Sequence, residues 1–229
     1  VHPVDDVSLT GAVAAAHHGL IIPLLVGPAA KIRAAADAAR LDISEFELID
    51  VPHSHAAAER AVALVREGRA EALMKGALHT DELMHEVLKR DGGLRTERCI
   101  SHVMAFDVPT YPRPLFITDA AINISPSLDQ KRDIICNAIE LAHALGNHDP
   151  KVAILSAVET VNPRMPSTLD AAALCKMADR GQIKGGTLDG PLAFDNAISE
   201  SAARTKGIDS PVAGRADILV APDLESANM

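Results

Sequence analysis

Tryptophan is absent from this chain, and only 2% of its residues are aromatic. That leaves no surface on which nucleic acid bases could stack in succession. The formal net charge is −9, which argues against nucleic acid or an anionic membrane as the main partner. Only three cysteines occur, Cys99, Cys136 and Cys175. They are odd in number and scattered without metal-like spacing, as expected for small core residues in a reducing cytoplasm. No signal peptide and no apolar run of about 18 residues is present, so nothing points to export or spanning.

Several catalytic signatures are also missing. There is no Gly-x-Gly-x-x-Gly dinucleotide fingerprint and no Walker A loop. No Gly-x-Ser-x-Gly elbow marks a hydrolase nucleophile. The ten histidines include the adjacent His17 and His18 and the pair His53 and His55. None lies in a His-Glu-x-x-His pattern, and no Cys-x-x-Cys occurs, so no metal is expected. Any anionic ligand must then be caught by a local pocket and not by a global field.

What is present is an alternation of helical stretches and short apolar runs through 229 residues, the mark of an α/β fold. Four runs end in small polar or acidic residues: Ala72–Met74 before Lys75 and Gly76, Leu115–Ile117 before Thr118 and Asp119, Val152–Leu155 before Ser156, and Ile218–Val220 before Pro222 and Asp223. Such runs predict buried strands, and ligands of parallel sheets gather at strand carboxyl ends. The spacing predicts strands at 21–26, 46–51, 71–75, 100–106, 115–117, 151–155, 184–188 and 217–220. Helices are predicted at 8–19, 28–40, 54–68, 80–91, 126–146, 167–181 and 191–206. Pro109, Pro112 and Pro114 interrupt both kinds of element, which places a domain boundary there and gives domains of 1–113 and 114–229.

The candidate site residues follow from these strand ends. Lys75, Gly76, His79 and Thr80 place a cation, a residue permitting close backbone approach and a helix start together, a pattern suited to an anion. Thr118, Asp119 and Asn123 bring a hydroxyl, a carboxylate and an amide to one strand end. An ordinary Asx turn accounts for them equally well. Ser156 and Glu159, with Asn162–Pro163, follow the next run, and Asp189, Gly190–Pro191 and Asp195 follow another. Each is a weak signal alone; their recurrence at successive strand ends is what points to a small polar or anionic ligand.

These segments resemble a known family. Leu115–Pro126, Lys151–Ser156, Leu188–Asp195 and Ser210–Gly214 with Ala216–Asp217, running into Val220–Leu224, are similar in order to the phosphate acetyl/butyryltransferases. Where that family usually continues with Gly-Asn, this chain has Ala227–Asn228. The resemblance implies acyl transfer between coenzyme A and inorganic phosphate. It implies two α/β/α domains with an interdomain cleft, of the isocitrate and isopropylmalate dehydrogenase type, and a homodimer. Coenzyme A is then a substrate, with no tightly bound cofactor. Lys75, Gly76, His79 and Thr80 would lie at the phosphate or acyl phosphate end, with Thr118, Asp119, Ser156 and Glu159 lining the facing domain.

The family's Ser-Arg pair and nearby Asp, tied to thiol deprotonation, are expected C-terminal to Pro222–Leu224 and beyond Met229. Both ends read as cut, and the first domain's C-terminal return segment is expected to be missing. The competing expectation is a non-catalytic acyl-coenzyme A-sensing module of a longer polypeptide. A dehydrogenase of similar fold would need clustered Asp residues for a divalent metal, which the sequence does not show. Arg95 is a further possible cation, though a surface role suits it better.

Overall fold

A computed structural model describes residues Val1–Met229. The chain forms two compact units, Val1–Glu97 and Arg98–Met229.

In the first unit, α1 (Asp6–His17) starts where the Asp5 carboxylate accepts the Ser8 amide, a side-chain N-cap. A parallel pair, β1 (Leu24–Gly27) and β2 (Glu47–Asp50), is joined through α2 (Ala29–Ala39). Next come α3 (Ser54–Arg66), capped by the His53 ring, and the short α4 (Thr80–Val87). Leu9, Leu25, Ile32 and Ala36 pack together on one side. Val26, Ala57 and Leu64 form a second cluster.

The strand expected at 71–75 does not form. Gly76 and Ala77 donate to the carbonyls of Val1 and His2 at 2.9 and 3.0 Å, and His2 in turn donates to Val26 at 2.7 Å. The first residues therefore lie between this segment and β1. His2 has φ of 56°, a left-handed conformation that interrupts any regular ladder.

The second unit is built on a five-stranded sheet of order β3-β4-β7-β5-β6. Its elements are β3 (Val103–Phe106), β4 (Leu115–Thr118), α5 (Leu128–Ala144), β5 (Lys151–Leu155), α6 (Pro166–Asp179), β6 (Thr187–Leu192), α7 (Phe194–Ile198), α8 (Glu200–Thr205), β7 (Ile218–Val220) and α9 (Leu224–Asn228). Only β3 is antiparallel; it pairs with β4, Val103 opposite Thr118. The central register sets Thr118 and Ile154 on either side of Val220.

Alternate strand residues serve opposite faces. Phe116, Val152, Ile154, Ile218 and Val220 pack with Ile135 and Ile139 of α5 and Leu174 of α6. Leu115, Ala153 and Leu219 pack with Ala197 of α7, Ala203 of α8 and Val212. Both faces are covered, which explains runs that are apolar throughout.

The division into units falls at Glu97 and Arg98 and not at the prolines. The stretch 98–113 belongs to the second unit because its groups are spent there. Arg98 pairs with Glu140 at 2.7 Å, the Cys99 amide donates to Asp133, and Tyr111 Oη donates to the Ala216 carbonyl at 2.6 Å.

Two other expectations shift, and one helix was not expected. The strand placed at 184–188 begins only at Thr187, after Gly185 turns the chain at φ of 90°, and continues through Pro191 to Leu192. The helix expected at 191–206 is two helices, broken where Ser199 is extended and caps the Ala202 amide. The terminal α9, capped by Asp223, was not anticipated.

Candidate active site

The strands β4, β5, β6 and β7 run parallel, so their carboxyl ends share one edge of the second unit. Cross-links hold that edge together: Ala221 donates to the Thr118 carbonyl and Ser156 to the Leu192 carbonyl, both at 2.9 Å. Four helices follow these ends, with α5 after β4, α6 after β5, α7 after β6 and α9 after β7.

Thr118 is fully buried, and its hydroxyl donates to the His102 carbonyl at 2.8 Å. Asp119 is 3% exposed. Its carboxylate accepts the backbone amides of Ala121, Ile122 and Asn123 at 3.1, 3.0 and 3.1 Å, as well as the Asn123 side-chain amide. Burial by itself raises this carboxyl's pKa, but the four N–H donors outweigh it and hold the group below the usual carboxylate range. Asn123 also donates to the Ile100 carbonyl at 2.9 Å. Asp119 is thus the organiser of the 119–123 turn, with its acceptor capacity spent inside the loop.

Ser156, buried just beyond β5, shares a hydrogen bond of 2.8 Å with Ser167 in the first turn of α6. Glu159 accepts Lys206 Nζ at 2.6 Å and the amide of the fully buried Asn196. The Lys206 hydrogen bond is the main reason its carboxyl lies below the ordinary value. Lys206 also contacts Asp195 at 3.2 Å. Beside this network lies a cavity of about 640 Å³ lined by Glu159, Thr160, Asp189, Pro191, Lys206 and Asp209.

In the first unit, Lys75 Nζ folds back on its own loop, donating to the Leu78 carbonyl at 2.9 Å and to Gly76 at 3.2 Å. Gly76 is small for the sake of the chain itself, since a Cβ there would lie 2.7 Å from the Val1 carbonyl oxygen. His79 is the N-cap of α4 but makes no side-chain cap bond, and Thr80 is the first helical residue. Asp81 and Glu82 occupy the first turn, so the positive end of the helix dipole already faces two acids. Lys75 and Gly76 also line a cavity of about 940 Å³ with Leu20, Ile21, Ile22 and Met74.

The structure therefore keeps Lys75, Gly76, His79 and Thr80 contiguous in the first unit, and sets Thr118, Asp119, Ser156 and Glu159 at the carboxyl edge of the second. No group of three or more His, Cys, Asp or Glu side chains could hold a metal ion. No helix is long and apolar enough to cross a membrane.

Sequence reasoning missed four polar residues at this edge: Lys131, Asp170, Ser167 and Asn196. For Lys131 a signal existed. It lies on the stripe Leu128, Lys131, Ile134, Ile135, Ala138, Ile139 and Ala142, which is the buried side of α5.

The family model described as phosphate acetyl/butaryl transferase matches residues 54–229. The chain belongs to that family. By that description its members are acyltransferases that act on phosphate and an acetyl or butyryl group. A phosphate acetyltransferase of Rhizobium meliloti is 66% identical over 228 residues, covering 100% of this chain and 72% of that protein. A phosphate butyryltransferase of Clostridium acetobutylicum is 46% identical over 212 residues, covering 93% and 70%. Among solved structures, a branched-chain phosphotransacylase from Enterococcus faecalis superposes with a TM-score of 0.72 at 37% identity, over 82% of this chain and 67% of that one. The chain spans between 66% and 76% of the length of such curated family members.

Proposed function

We propose that the protein carrying this chain transfers an acyl group, acetyl or butyryl, between coenzyme A and inorganic phosphate. The family match over residues 54–229 supports this reading most directly. The small, polar edge beyond β4, β5 and β7 suits it, because Ser156 and Thr118 place hydroxyls there and no aromatic platform is needed. The proposed substrate-binding groups are Lys75, Gly76, His79 and Thr80 in the first unit and Ser156 and Glu159 in the second, while Thr118 and Asp119, whose polar atoms are already paired, shape the turn after β4.

The reaction is a displacement at an acyl carbon. The coenzyme A thiolate attacks the acyl phosphate carbonyl, a C–S bond forms, the C–O bond to phosphorus breaks and phosphate leaves with the electron pair. In the reverse direction a phosphate oxygen attacks the thioester. The protein must accept the thiol proton and stabilise charge on the carbonyl oxygen, and no covalent enzyme intermediate is required. Asp119 contributes by fixing the turn after β4, so that the backbone there is set before substrate arrives. The finer architecture, paired α/β/α domains of the isocitrate dehydrogenase type, belongs to the same proposal. So do a homodimer, a cytoplasmic location and the absence of a tightly bound cofactor.

The test is thiol release from acetyl- or butyryl-coenzyme A by the full-length gene product. Release that depends on phosphate is the expected result, and the faster substrate names the acyl group. A folded protein that binds acyl-coenzyme A without releasing thiol would instead be a sensing module.

A further inference from the structure

One buried cation at the carboxyl edge has no part in the chemistry above. Lys131, in the first turn of α5, is 6% exposed. Its Nζ meets Asp170 Oδ2 of α6 at 2.7 Å, and the Asp170 side chain is 31% exposed. The pair ties the N-terminal ends of the two helices that follow β4 and β5. Its charge also lowers the Asp223 carboxyl at the N-cap of α9 to a small extent.

Stability does not explain such a pair. Removing both ions from water offsets most of their attraction, and apolar residues of similar volume serve as well or better. A fixed charge pair does something an apolar contact does not: it sets one geometry. Asp170 lies one helical turn from Ser167, and Ser167 holds the Ser156 hydroxyl at 2.8 Å. Position therefore passes from Lys131 through Asp170 and the α6 turn to the hydroxyl at the end of β5.

We propose that Lys131, acting through Asp170, is a positioning residue that holds the Ser156–Ser167 hydroxyl pair in place for a phosphate group of the substrate. This rests on Ser156 belonging to the substrate-binding set. The chemistry recognised is a phosphate oxygen accepting hydroxyl hydrogen bonds, whether from inorganic phosphate or from coenzyme A.

The test replaces the pair by apolar residues of similar size, Lys131→Met with Asp170→Leu, in the full-length protein. The expected variant melts with its parent, and amides 167–170 exchange faster with solvent. KM for either phosphate or acyl-coenzyme A rises about tenfold or more, because small displacements of positioning groups are costly, while KM for the other substrate holds. The substrate affected names the source of the phosphate group. Unchanged exchange overturns the proposal, and so does a KM for both substrates that is unmoved or raised alike. If the parent protein transfers no acyl group, the acyl-transfer reading falls and the exchange rates alone decide the positioning role. Should the double variant fail to fold, Lys131→Met alone gives the same measurements, since it leaves only the part-exposed Asp170 unpaired.

Discussion

At the scale of single residues, the carboxylates of this chain divide by what they accept. Asp119 accepts four N–H groups within its own turn, whereas Glu159 is shared between Lys206 and Asn196. Asp119→Ala leaves four part-buried donors without a charged acceptor and should cost about 1–3 kcal/mol, read as a lower denaturant midpoint with unchanged slope. The same carboxyl has its folded pKa below its unfolded value. Its contribution is therefore present above the unfolded value of about 3.9 and is lost as pH falls through the folded value. Asp119→Asn should flatten this acid limb of the stability–pH curve; an unaltered limb would refute the assignment. The Lys131 pair makes an asymmetric prediction. Asp170→Ala strands a buried ammonium and should cost about 3–5 kcal/mol. Lys131→Met should cost clearly less, because the Asp170 side chain keeps 31% of its exposure.

Among the elements, caps and tight approaches set the boundaries that periodicity alone misplaces. Ser127 and Gln130 form a reciprocal capping box at the start of α5, and Ser127→Ala should cost about 1 kcal/mol, measurable by thermal melting. Gly214 has φ of 79°, and a Cβ there would lie 2.5 Å from Glu200 Cα at the start of α8. Gly214→Ala should destabilise the second unit by at least about 1–3 kcal/mol through overpacking alone; a neutral result would show that α8 can move aside. The long helix expected across Ser199 failed for a similar local reason. A serine that caps the following helix ends the preceding one, and alanine-rich sequence on both sides conceals the break.

For the molecule as a whole, the α/β class, the strands at β4, β5 and β7 and the polar loops after them were legible because doubly covered strands are continuous apolar runs. Burial also governs the thiols. Cys175 is pushed up to about 12 by burial, so its neutral form is favoured in the folded protein. That contribution is intact below the ordinary thiol value and is lost as pH rises from there toward about 12. Alkylation at pH 8 should leave Cys175 unmodified in the native protein and label it after unfolding, as mass spectrometry would show; rapid native labelling would contradict this burial.

The sequence by itself determined the fold class, the family and the order of polar loops, since these depend on local pattern and on residue identity. Only the tertiary structure decided how those polar groups are used. Asp119 has its acceptors filled by its own loop, Gly76 yields space to the first residues of the chain, and Lys131 is a buried cation on an apolar stripe. Each depends on which distant backbone or side chain comes within hydrogen-bonding range, and that is set by packing between elements far apart in the chain.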